Sequence, residues 1–221
     1  MCGFGGSVEK IHKTMKIAIL SANIGSFDTP HPVCKQSEEY ELFYYTENTL
    51  PFPLPNLDNR MKGKYFKTQA HRFLNHDVFI WIDGSIEVID GHFVRACLNG
   101  LENADVVITE HEERSNPYEE LEYIRDSMDK PYLFERYHKQ TFVSEMAFYG
   151  SEGMPNVPLF NCYFFARKNN VKVNAAFDTW WDTTIRFTNL DQAAFSYAAW
   201  KHGLTIKAIE NKDLFIRHKH L

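Results

Sequence analysis

The stretch Asp77-Val78-Phe79-Ile80-Trp81-Ile82-Asp83 carries the fold reading. Its five central residues are all β-branched or aromatic, and they are apolar on both faces. That is what a strand buried in the middle of a parallel sheet needs. Asp83-Gly84-Ser85 then turns the chain, and Ile86 to Ile89 reads as a short strand. Upstream, Lys16 to Leu20 is a buried strand ending in Asn23-Ile24-Gly25-Ser26, and Glu41 to Tyr45 is a second strand. Three prolines from Pro51 to Pro55 make a loop. Asp58 or Asn59 then caps a helix running to about Asn75.

Downstream, Gly91 to Leu101 reads as a helix and Asp105 to Thr109 as a buried strand. Helices are predicted over Tyr118 to Met128, with Glu119, Glu120, Glu122 and Arg125 on the wet face, and over Pro131 to Tyr149. Leu159 to Arg167 reads as a strand, Ala175 to Arg186 and Asp191 to His202 as helices, Thr205 to Ile209 as a last strand, and Phe215 to Leu221 as a basic tail. Short β-rich runs alternating with helices imply a three-layer α/β/α domain around a mostly parallel central sheet. No repeat or linker divides residues 16–221, so they read as one domain behind a flexible Gly-rich leader, residues 1–15.

The chain has 221 residues, roughly 1.5 domains by length. Hydrophobic residues make up 44% and aromatics 15%, which excludes a disordered chain. The net charge of −5 lacks the positive field of a general nucleic-acid binder. No apolar run approaches the roughly 20 residues that cross a bilayer, and the N-terminus lacks a signal-peptide core. The expectation is a cytoplasmic protein without a membrane span. The four cysteines lie far apart with no CxxC pair, as suits reduced thiols, two or three of them in the core.

In open parallel sheets ligands bind at the carboxyl ends of strands, so Asn23 and Asp83 draw attention first. A bare carboxylate at the end of an apolar strand is costly unless it meets a cation, a metal or a donor. The alternative is that Asp83 simply starts a turn with Gly84. Ser85 and Glu87 add oxygen donors nearby. His218 suits a metal shell and Lys219 a phosphate, unless the tail is only a solvated basic end. Lys67 and His71 stand four apart on one predicted helix face, suited to a diphosphate or to plain solvent. His111 and Arg114 lie in a charged loop after a strand, open to a sugar, a metal or water. Asp191 opens a helix with Gln192, either as its N-cap or as a carboxylate at the mouth of a site. Trp180 and Trp181 suit sugar stacking or core packing. The phosphate-loop, GxGxxG, HExxH and GxSxG signatures are absent.

The ordered pieces KIAILSANIG (Lys16 to Gly25), YFKTQAHRF (Tyr65 to Phe73), FIWIDGSIEV (Phe79 to Val88), EHEERSNPYEE (Glu110 to Glu120), GSEGMP (Gly150 to Pro155) and FDTWWDTTIRFTNLDQAAFSYAAWKHG (Phe177 to Gly203) together resemble a known family. It is a glycosyltransferase-like family of plant mucilage-related and bacterial proteins, first catalogued as domain of unknown function 616. The resemblance implies a Rossmann-like GT-A fold, a nucleotide-sugar donor, UDP-linked, and a carbohydrate acceptor. It also implies a divalent metal, Mn2+ or Mg2+, held with the donor diphosphate where a DxD motif stands. Here that position reads Asp83-Gly84-Ser85, without the second carboxylate, and Glu87 or His218 is placed to compensate. The metal set implied is Asp83, Ser85 and His218. Asn23, Lys67, His71, Asp83 and Lys219 are expected at the nucleotide diphosphate. His111, Arg114, Trp181 and Gln192 are expected at the sugar or acceptor. Asp191 and Glu152 are the catalytic carboxylates, with inversion and retention both open. Two rivals fit the same frame: a metal-dependent hydrolase of a sugar nucleotide or other phosphate compound, and a non-catalytic sugar- or nucleotide-binding module.

Overall fold

Strand β1 (Ile17–Ala22) sends Ala18 and Leu20 into one apolar cluster and Ile17 and Ile19 into another. Strand β3 (Val78–Ile82) divides likewise, Phe79 and Trp81 to the first and Val78, Ile80 and Ile82 to the second. Side chains of a strand alternate between faces, so both faces of this sheet are covered. The computed structural model describes residues 15–210 and 213–218. Six strands form the sheet in the order β2 (Glu41–Tyr45), β1, β3, β6 (Phe160–Lys168), β5 (Val106–Glu110), β7 (Ile206–Ala208). Five run parallel and β6 runs against them, with Ile80 opposite Ala166. The mostly parallel sheet expected from the alternation is therefore present.

The first face is covered by helices α1 (Asn59–Thr68), α6 (Val171–Arg186) and α7 (Asp191–Lys201), through Phe66, Phe177, Trp180 and Phe195 among others. The second is covered by α2 (Phe93–Leu101) and a two-stranded ribbon of β4 (Ile86–Val88) and β8 (Phe215–Arg217). A third apolar cluster joins α3 (Pro117–Asp126), α4 (Pro131–Tyr137) and α5 (Phe142–Ser151) to the outer side of α7. Helix α7 is thus packed on two sides, which suits its small, Ala-rich sequence.

Four expectations need correction. The helix predicted from Asn59 to Asn75 stops at Thr68, and a separate 3-10 turn covers Ala70–Arg72. The helix predicted over Pro131 to Tyr149 is two, α4 and α5. At the break Gln140 accepts from the Asn189 amide at 2.7 Å and Thr141 donates to the Phe187 carbonyl at 3.3 Å. The basic tail starts as β8, because Phe215 is buried among Phe93, Tyr163 and Phe164. Glu120, assigned to a wet face, is buried and bound by Arg114. Cys97 and Cys162 are buried thiols and Cys34 is half-buried. Among the described residues no helix is long and apolar enough to cross a membrane.

Candidate functional site

The chain leaves β1 toward β2 on one side and returns to β3 on the other, so β1 and β3 meet at a topological switch point. Ligands of open α/β sheets bind there, beyond the carboxyl ends of the strands. A cleft of about 310 Å³ opens at that place. The ends of β1 and β3 supply Asn23, Trp81 and Asp83, helix α1 supplies Arg60, Lys64 and Lys67, and α7 supplies Asp191 and Gln192. Arg136 and Tyr137 close it from α4, and Arg217 reaches it from β8.

Helix α1 turns one stripe toward this cleft. Arg60, Lys64 and Lys67 follow at helical spacing, and Gly63 beside them adds no side chain to the wall. The helix starts cleanly because the Asp58 carboxylate accepts from the Met61 amide at 2.8 Å. Lys67, only 5% exposed, bonds Asp191 at 2.9 Å and Asp83 at 3.2 Å. Lys64 bonds the other Asp191 oxygen at 2.7 Å. The Trp81 indole donates to Asp83 at 2.6 Å. Burial alone would raise the Asp191 carboxyl, but the ammonium groups of Lys64 and Lys67 outweigh it and hold it down at about 2. Burial works against the charge on Lys67 too, yet Asp191 and Asp83 together push its pKa up. Burial lowers Lys64, which Asp191 offsets only in part. Asp191 is the first residue of α7, not its N-cap, and its carboxylate serves the two lysines.

Asn23 lines the cleft, but its side chain holds the loop beside it. Its carbonyl accepts from the Asp28 amide at 3.1 Å and its amide donates to the Asp28 carbonyl at 2.6 Å. Asp28 in turn lies against Gly84. A Cβ on Gly84 would come within 2.9 Å of the Asp28 carboxylate, so a larger residue there would push the Asp28 side chain aside.

A sequence model of the TOD1/MUCI70 glycosyltransferase-like domain matches residues 52–219, from the loop before α1 to just beyond β8, which takes in every cleft residue except those at and after the end of β1. The match spans 168 of 221 residues. The chain belongs to this family. In this TOD1/MUCI70 domain the fold is also similar to the apo crystal structure of mouse xyloside xylosyltransferase 1. That comparison has a TM-score of 0.46 and 9% identity, over 89% of this chain and 86% of that one. No curated protein matches the sequence.

The remaining candidates of the TOD1/MUCI70 domain lie elsewhere. His71 belongs to the 3-10 turn and faces α6, bonding Asp178 at 3.0 Å and Arg167 at 3.1 Å. Arginine can only donate, so His71 Nδ1 accepts and Nε2 carries the proton. Burial and then Arg167 push this imidazole down to about 4, against Asp178. His111 and Arg114 line a separate depression that shares no residue with the cleft. There His111 Nδ1 accepts from the amides of Glu113 and Arg114, and Arg114 binds Glu120 and Glu113. Glu152 ends α5 and pairs with Lys201, outside the cleft. Trp180 is core, and Trp181 packs edge-on to Tyr65 at 5.4 Å, also outside it. Lys219 lies outside the described residues.

Among the described residues, two places offer metal donors. At the turn after β3, one Asp83 oxygen already binds Lys67 and Trp81, and the Ser85 hydroxyl is buried without a hydrogen-bond partner. At the end of β8, His218 Nε2 lies 2.8 Å from a Glu87 oxygen, and its ring stacks on His31 at 3.9 Å. Imidazole and carboxylate donors together fit a divalent transition ion. Sequence reasoning passed over Arg60, Lys64, Arg136 and His31. For the first two the signal was present, since 60, 64 and 67 repeat on one face of a helix. The pairing of Lys67 with His71 assumed a helix one turn too long.

Proposed function

We propose that the cleft binds a nucleotide-diphosphate sugar, UDP-linked, and that the protein transfers the sugar to a hydroxyl of a carbohydrate acceptor, on a GT-A type of fold. The observation that carries this reading is the cation-rich wall at the switch point. Five cationic side chains (Arg60, Lys64, Lys67, Arg136, Arg217) line the cleft against three carboxylates (Asp28, Asp83, Asp191). The difference, 5 − 3 = +2, favours a polyanion such as a diphosphate in a chain of net charge −5.

In the transfer the bond from the anomeric carbon to the diphosphate oxygen breaks, and that oxygen keeps the electron pair. The acceptor oxygen bonds the anomeric carbon, and its proton passes to the departing diphosphate oxygen or to water. Charge grows on the departing diphosphate, so fixed cations help the transition state more than the ground state. Lys64 and Lys67 are held ready for this by Asp191. Asp191 itself, down at about 2, does not take a proton near neutral pH, so its part is to position the lysines and to face the positive anomeric carbon. A divalent cation, Mn2+ or Mg2+, belongs to the same reading. Glu87 and His218 are donors that fit one, and it would add to the charge offsetting the leaving group.

Calorimetry with UDP tests the cleft. Lys64→Met is expected to weaken UDP at least tenfold while far-UV circular dichroism stays unchanged, and unaltered affinity in that variant overturns the reading. Product analysis of UDP-sugars with and without acceptor sugars then separates transfer from hydrolysis and from binding alone.

A further inference from the structure

We propose that His31, Glu87 and His218 form a metal site, and that this trio, not the Asp83-Gly84-Ser85 turn, holds the divalent ion. One donor atom from each of the three lies within 4.8 Å of the others, a spread that small side-chain shifts close around an ion.

Far apart in sequence, the three are fixed by one short ribbon. β4 and β8 pair antiparallel, with Glu87 opposite Ile216, and the His218 amide donates to the Ser85 carbonyl at 2.8 Å. On the other side of β4, Val33 bridges Val88, and the Cys34 amide donates to the Val88 carbonyl at 3.1 Å. That contact brings in the loop carrying His31, whose backbone is stiffened by Pro30 and Pro32. Ile86 and Val88 are buried in the second apolar cluster, so Glu87 points the opposite way, toward His218. All three side chains are partly exposed, which leaves a path for an ion.

The turn after β3 is the poorer host. One Asp83 oxygen is held by an ammonium and an indole, and a second cation beside Lys67 would be repelled. Two imidazoles and one carboxylate suit Mn2+ or Zn2+ better than Mg2+, which prefers oxygen donors. Three protein ligands also leave positions for water or a phosphate oxygen. Arg217, which precedes His218 in the chain, lines the cleft, whereas His31, Glu87 and His218 do not. Binding of the ion stands apart from the nucleotide-sugar reading, and only its partnership with a diphosphate rests on that reading.

The full chain is titrated calorimetrically with MnCl2 and ZnCl2 without nucleotide, and Co2+ loading is followed by visible absorption. One ion per chain is expected. His31→Ala and Glu87→Gln should each weaken it at least tenfold, and Asp83→Asn less than threefold, with circular dichroism unchanged. The proposal is overturned if Asp83→Asn removes the ion while Glu87→Gln keeps it, or if the wild-type chain binds no ion at millimolar concentration. UDP titration of the metal-free chain, run separately, reports on the nucleotide reading alone.

Discussion

An aspartate between two ammonium groups gives up its proton readily, and the same arrangement ties stability to pH. Asp191 is the example, down at about 2 from an ordinary 3.8. A depressed carboxyl contributes stability that is complete above its unfolded value and lost as pH falls through the folded one. Asp191→Asn removes the carboxylate that holds Lys64 and leaves Lys67 with only Asp83, and should cost on the order of 3 kcal/mol at pH 7. That difference should shrink as pH falls from about 4 to about 2, the window set by the two values. Urea unfolding at several pH values checks it, and a constant difference down to pH 2 contradicts the pairing. At this scale the sequence was partly legible. Lys67, Asp83, Asp191 and Gln192 were singled out and do share the cleft. His71, Glu152, His111, Arg114 and Trp181 were equally attractive by residue type, and each is engaged elsewhere by a partner remote in sequence or by its own loop.

Helix α1 carries the cationic stripe, and its start depends on one cap. Asp58→Ala should lower stability by about 1 kcal/mol, seen as a fall of a few degrees in Tm, with UDP affinity nearly kept. Loss of UDP binding with an unchanged Tm would assign Asp58 a different part. Helix α5 carries a buried acid, Glu145, that binds Tyr149 and Thr188, and Thr188 lies in the turn leading to Asp191. Burial raises this carboxyl to about 7, against those hydrogen bonds. A raised carboxyl favours the folded state below its unfolded value, near 4.5, and that advantage is lost as pH climbs through about 7. Glu145→Gln should therefore match the wild type near pH 4.5 and exceed it at pH 8 by on the order of 2 kcal/mol. Equal stability of the two at both pH values would mean that the acid is not strained by burial. The element pattern was readable because hydrophobic period is a local property. The break between α4 and α5 was not, and the residues it meets there, Phe187 and Asn189, lie far along the chain.

Over the whole molecule the charge is uneven, with a positive cleft in a negative chain. Attraction for an anion in an open cleft is screened by salt. UDP affinity should fall about threefold between about 20 and about 200 mM NaCl, with the change mainly in the association rate. An affinity insensitive to salt would point to a ligand held by apolar and neutral contacts.

Sequence by itself determined the apolar strands, their alternation with helices, the mostly parallel sheet and the two strand ends that open on the cleft. Those features follow from periodicity and from the cost of burying a bare carboxylate, which neighbours in sequence already express. Only the tertiary structure decided that Lys64 and Lys67 grip Asp191 across 127 and 124 positions, and that His31, Glu87 and His218 gather on one ribbon. Such contacts arise from strand order and ribbon pairing, and these bring together charges whose separation along the chain carries no periodic signal.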